Sequence, residues 1–95
     1  MKDIAIFGAG GFGREVASMV TIINQKEQRW NIVGFFDDGV EKGKQISHFG
    51  PVLGGMADLN NWDKEIDIAI AIGNPMSLRG VRERITNKNV SFPGL

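Results

Sequence analysis

Ile4-Ala5-Ile6-Phe7-Gly8-Ala9-Gly10-Gly11-Phe12-Gly13 decides the reading of this chain. Four apolar residues in a row suit a strand buried on both faces of a parallel sheet. The glycines that follow match G-x-G-x-x-G, and beyond them Phe12, Val16, Met19, Val20 and Ile23 recur at helical spacing. Strand, glycine turn and helix in that order are what a dinucleotide or nucleotide-diphosphate site requires. Gly8 permits the tight turn, Gly10 removes the side chain that would block a phosphate, and Gly13 lets the helix lie close to the strand. The helix N-terminus then offers unpaired N–H groups and a partial positive charge to an anion. The same hexamer also serves as a plain strand-to-helix turn that holds no ligand.

Outward from this stretch the pattern keeps alternating. The apolar spacing predicts an amphipathic helix of about three to four turns after the glycines. Gln25 to Asn31 reads as a polar connection, with Trp30 packing at its edge. Ile32 to Phe36 is expected to be the second strand, and Val40 to Gly50, which has no clear period, an excursion loop. Pro51 to Gly55 reads as a very short strand and Met56 to Trp62 as a short helix. Asp67 to Ile72 is expected as another buried strand. Leu78, Val81 and Ile85 mark a helix in which Asn74 is the N-cap and Pro75 the first helical residue. Val90 to Phe92 begins a last strand or an exit segment. The fold class implied is α/β, a small Rossmann-like open parallel sheet flanked by helices.

Composition narrows the function. Ninety-five residues with 42% hydrophobic content make one small domain, short for a complete enzyme of this class. Eleven basic residues balance eleven acidic ones, so neither nucleic acid nor an anionic membrane is a favoured partner. The absence of cysteine excludes disulfides, thiolate catalysis and Cys-based metal sites. No apolar stretch approaches the ~18–20 residues that span a bilayer. Met1-Lys2-Asp3 leads directly into a strand with no signal-peptide core, and a cytoplasmic location is expected. The abrupt end at Ser91 to Leu95 suggests a fragment of a longer polypeptide.

The candidate binding residues fall at strand ends. Asp37 lies 24 residues after Gly13 (37 − 13), at the end of the second strand, where a carboxylate accepts ribose hydroxyls in a Rossmann fold. Asp37-Asp38-Gly39 also suits an ordinary strand-to-loop turn. Gly73 and Asn74 end one strand and start a helix, which makes them either a second anion site or a capped helix and nothing more. Arg79, one turn into that helix, is in reach of a phosphate or simply solvated. His48, the single histidine, sits in the polar loop without an acidic partner nearby in sequence, and is read as solvent-exposed. Glu15 and Glu65 fall on exposed faces, and Ser18 and Ser77 lie on helices without catalytic context. No metal-ligand spacing and no nucleophile–base arrangement is present, so no catalytic residue is assigned.

Gly8-Ala9-Gly10-Gly11-Phe12-Gly13-Arg14-Glu15, Phe35-Phe36-Asp37-Asp38-Gly39, Pro51-Val52-Leu53-Gly54, and Ile70-Ala71-Ile72-Gly73-Asn74 with Arg79 come in an order that resembles one family. The chain is similar to the N-terminal domain of hexapeptide-repeat sugar acyltransferases, which include bacterial nucleotide-sugar N-acetyltransferases and relatives of the sialic acid O-acetyltransferases. The resemblance covers nearly the whole chain and implies that residues 1–95 form a Rossmann-like domain holding a UDP-linked amino sugar. It implies that Gly8, Gly10, Gly11, Phe12 and Gly13 face the diphosphate and sugar, that Asp37 and Asp38 address the uridine, and that Gly73 and Asn74 close the pocket. It further implies a C-terminal left-handed β-helix that trimerises, binds acetyl-CoA between subunits and supplies a histidine base.

Two departures stand out. Many members carry histidine where this chain has Phe12, and the repeat domain is absent, so acetyl-CoA and the homotrimer belong only to a longer protein. The isolated domain is expected to be monomeric or only weakly associated, and without acetyltransferase activity. An NAD(P)-binding half of an oxidoreductase remains the alternative, as does a ligand-sensing or CoA-binding module. G-x-G-x-x-G and the acid after the second strand fit NAD(P) equally well, although no hydride-transfer acid or base accompanies them.

Overall fold

A computed structural model describes residues 1–94. Its strands are β1 (Lys2–Phe7), β2 (Trp30–Phe36), β3 (Gln45–Ile46), β4 (Gly50–Gly54), β5 (Ile66–Ile70) and β6 (Val90–Ser91). They form one six-stranded sheet in the order β3-β4-β2-β1-β5-β6. Every pairing is parallel except that of β3 with β4. The helices are α1 (Gly11–Lys26), α2 (Met56–Asn60) and α3 (Pro75–Arg84). The chain runs from β1 outward through β2 to β4, then returns past β1 to β5 and continues outward to β6. That reversal is the switch point where open α/β sheets bind their ligands, beyond the carboxyl ends of the strands.

The apolar run of the first strand is buried on both faces, as a parallel sheet requires. Ile4 and Ile6 pack beneath α1 with Val16, Ala17 and Val20. Ala5 and Phe7 join Met56 and Leu59 of α2 on the other face, with Val81 of α3 and Ile85 just beyond it packed against that cluster. In β2 the register shifts between Ile4 and Ala5 of its neighbour, so that Ile4 pairs with Ile32 but Ala5 with Gly34. Gly34 has φ +150°, a conformation that L side chains rarely adopt. The extra residue moves everything after it to the opposite face. Phe35 consequently packs under α1 and Phe36 on the α2 side. Asp37 and Asp38, which follow directly, inherit that assignment.

Several expectations need correction. The apolar spacing puts Phe12 and Met19 on the core face of α1, yet they are 48% and 47% exposed. Gly13 and Ala17 are buried instead, because small residues let the helix axis approach the sheet and rotate the buried stripe away from the bulkier side chains. Trp30 is not an edge residue of a connection. It opens β2 opposite Lys2, is 7% exposed, and donates its indole N–H to Asp67 Oδ2 at 2.9 Å. The excursion loop contains β3, whose single buried apolar residue, Ile46, is too little for a periodicity reading. β5 ends at Ile70 rather than Ile72, and α2 ends at Asn60 rather than Trp62.

Candidate functional site

The glycine loop lies at the switch point. Gly8 donates its N–H to the Phe36 carbonyl at 2.8 Å, which ties the loop to the end of β2. On the other side Ala71 donates to the Phe7 carbonyl at 2.9 Å. A Cβ at Gly8 would stand 3.0 Å from the Ala71 carbonyl oxygen, and Gly8 has φ +113°, so only glycine suits this turn. A Cβ at Gly13 would run into the Gly8 carbonyl. Gly13 thus lets the first turn of α1 lie directly over the loop, as the motif predicts.

Gly10 and Gly11 differ from these. Gly10 is the N-cap of α1 at φ −76° and ψ −166°, extended backbone open to any residue. A Cβ at Gly10, Gly11 or Gly73 would meet nothing within 4 Å. Neither packing nor conformation asks for glycine at position 10, and the space before it is open. No side chain caps α1, and its first turn holds no acidic residue. The N–H groups and partial positive charge of a 16-residue helix therefore face a free volume. α3 is different: Asn74 accepts from the N–H groups of Met76 and Ser77 at 3.0 and 3.1 Å, and Pro75 has no N–H to offer. Asn74 is the N-cap that the sequence predicts, and it satisfies the donors that an anion would need there.

Asp37 is half-buried and occupied. Its Oδ2 accepts the Ala9 N–H at 2.8 Å, and its Oδ1 accepts the Gly39 N–H at 2.8 Å. The first bond fastens the glycine loop; the second closes an Asx turn after β2. Asp38 points to the other face, where Oδ1 accepts the Met56 N–H at 2.8 Å and so caps α2. Its Oδ2 stands 3.6 Å from an Arg84 nitrogen. Each carboxylate has about four acceptor positions, so both retain capacity beyond these contacts. Successive residues of extended chain face opposite ways, so the two adjacent acids serve opposite faces of the sheet, and the bulge at Gly34 sets which acid serves which.

A cleft of about 240 Å³ adjoins the loop, lined by Ala9, Gly10, Arg14, Lys44, Gln45, Ile46 and Ser47. Arg14 comes from α1, and Lys44 to Ser47 come from β3 and the residues on either side of it, where the sequence pattern predicts only a loop. Phe12 is exposed at the start of α1, and Gly73 and Asn74 are exposed beyond β5. Arg79 is exposed on α3 and is not part of this cleft. His48 is exposed, with Nδ1 3.3 Å from Ser47 Oγ and its ring tilted over Phe49. A larger cleft of about 380 Å³ opens at the outer edge of β5, between Met19, Leu78 and Phe92. It is apolar apart from Arg82 and contains no residue of the glycine loop.

Asp67 is the charged residue most deeply buried among the described residues, at 3% exposure, and it belongs to the opposite end of the sheet. Besides the Trp30 indole, it meets Lys2 Nζ at 3.0 Å. Its contacts join β1, β2 and β5, which is structural work far from the strand carboxyl ends. Among the described residues no helix is long and apolar enough to cross a membrane.

No curated protein and no solved structure matches the chain. The PglD N-terminal domain family model matches residues 3–88, which takes in the glycine loop, both aspartates, the Gly73-Asn74 turn and all of α3. The chain therefore belongs to the PglD N-terminal domain family, the N-terminal domains of the sugar acetyltransferases that its motifs resemble.

Proposed function

We propose that this chain is the substrate-holding domain of an acetyl-CoA-dependent sugar acyltransferase and that it takes a UDP-linked amino sugar. The observation that carries the reading is the N-terminus of α1. It opens uncapped at the switch point, with free space before Gly10 and Gly11. A diphosphate there accepts the N–H groups of the first turn and meets the positive end of the helix dipole. Asp37 and Asp38 offer their remaining lone pairs to ribose or base, while Phe12 and Gly73 border the sugar. The acyl donor and the base are assigned to a partner domain. His48 contacts Ser47 and Phe49 and no carboxylate among the described residues, so nothing orients it as a base.

The NAD(P) alternative rests on the same glycine loop and on the same Asp37, whose remaining lone pairs serve a ribose of either ligand. Titration calorimetry of the 95-residue chain separates the two. UDP and a UDP-amino sugar are expected to bind, with NAD much weaker. Tight NAD binding with no response to UDP overturns the proposal.

A further inference from the structure

The segment between β2 and β4 is built as a wall, not a slack loop. Gly43 donates its N–H to the Val52 carbonyl, and Val52 donates to the Lys44 carbonyl, both at 2.8 Å. β3 then pairs Gln45 with Pro51 and Ile46 with Gly50. Ile46 is buried in the core under α1 and anchors the segment to the same layer as the helix. The backbone of Lys44 is fixed from both sides while its side chain stays exposed beside the glycine loop.

Lys44 and Arg14 line one cleft from two separate elements, and its lining contains no carboxylate. Among the described residues neither cation takes part in an ion pair. Lys42 and Arg84 reach Asp58 and Asp38, so acids do neutralise neighbouring cations elsewhere. Two like charges lining one cleft beside a helix N-terminus raise the positive potential there and favour an anion. A diphosphate, with about two negative charges and several acceptor oxygens, answers both the guanidinium fork and the ammonium.

We propose that the β3 segment is the second wall of the nucleotide-sugar site and that Lys44 and Arg14 together hold the diphosphate. The inference rests on the reading of the α1 N-terminus given above and adds the residues that select the charged part of the ligand. Lys44 and Ser47 then belong to the site although neither lies in a recognised motif. Discrimination among ligands follows charge, with UDP bound more tightly than UMP and uridine weakest.

The test is calorimetry of the full chain with UDP, UMP and uridine at low and moderate salt. Lys44→Gln and Arg14→Gln are each expected to weaken UDP roughly tenfold at low salt and to flatten its salt dependence. Uridine binding should change less than twofold. Lys26→Gln, the same change of charge at the far end of α1, is the control and should leave UDP unaffected. Folding is checked by circular dichroism, and Lys44→Glu provides a second exposed variant whose loss should exceed that of Lys44→Gln. If the wild-type chain binds UDP and Lys44→Gln binds it within twofold, the clamp is refuted and the nucleotide-sugar reading survives. If the wild-type chain binds neither UDP nor a UDP-sugar, both fall.

Discussion

Replacing Asp37 with alanine separates a structural role from a binding role. Its two oxygens accept the N–H groups of Ala9 and Gly39, each at 2.8 Å. Ala9 is 7% exposed, so its N–H is left without a partner and with little water to replace one. An unsatisfied buried donor costs about 1–3 kcal/mol. Gly39 is exposed, and its N–H returns to water at little cost. Together the substitution should destabilise the chain by about 2–3 kcal/mol, most of it from Ala9. For a domain of this size that lowers Tm by roughly 10–20 °C. Asp37→Asn keeps one acceptor, which can serve Ala9, and should lose about half as much. Thermal denaturation followed by circular dichroism reads both variants. A Tm within about 2 °C of wild type for Asp37→Ala, with UDP binding abolished, would refute the structural reading and make Asp37 a ligand contact first.

Three further outcomes are expected from the same framework. Gly13→Ala drives a Cβ into the Gly8 carbonyl and should cost about 3 kcal/mol or more, seen as loss of cooperative thermal unfolding near physiological temperature. Asn74→Ala removes the cap shared by Met76 and Ser77 and should cost about 1 kcal/mol in denaturant titration, with fraying confined to α3 by hydrogen exchange. Trp30→Phe leaves Asp67 with Lys2 as its remaining partner and should cost about 1–3 kcal/mol. Asp67→Asn in that background should recover part of the loss, since a neutral amide is cheaper to bury than a carboxylate.

How much of this was legible in the sequence depended on local signals. The glycine loop, the capping of α3 by Asn74 and Pro75, and the doubly buried first strand each follow from residues adjacent in the chain. The β3 segment was hidden because a two-residue strand with one buried side chain has no period to detect. The exchange of Phe12 and Met19 for Gly13 and Ala17 on the core face was hidden because close approach favours small residues, which carry little hydrophobic signal. Which of Asp37 and Asp38 faces the glycine loop depends on the bulge at Gly34 and on long-range pairing with β1, beyond what neighbouring residues encode. Lys44 was unreadable as a site residue for the same reason: only the folded hairpin brings it beside Gly10.

The central claim, that the uncapped start of α1 receives the diphosphate of a nucleotide sugar, is tested most directly by amide shifts on titration with UDP. A two-dimensional nitrogen–proton spectrum of the chain should show saturable shifts largest at Gly10, Gly11, Phe12 and Gly13, with smaller ones at Gly73 and in the segment 44–47. Gly10→Ser, whose N-cap hydroxyl should leave the helix at least as stable, should abolish those shifts by filling the space before the loop. Shifts confined to the apolar cleft beside Phe92, or an undiminished response in Gly10→Ser, would contradict the account.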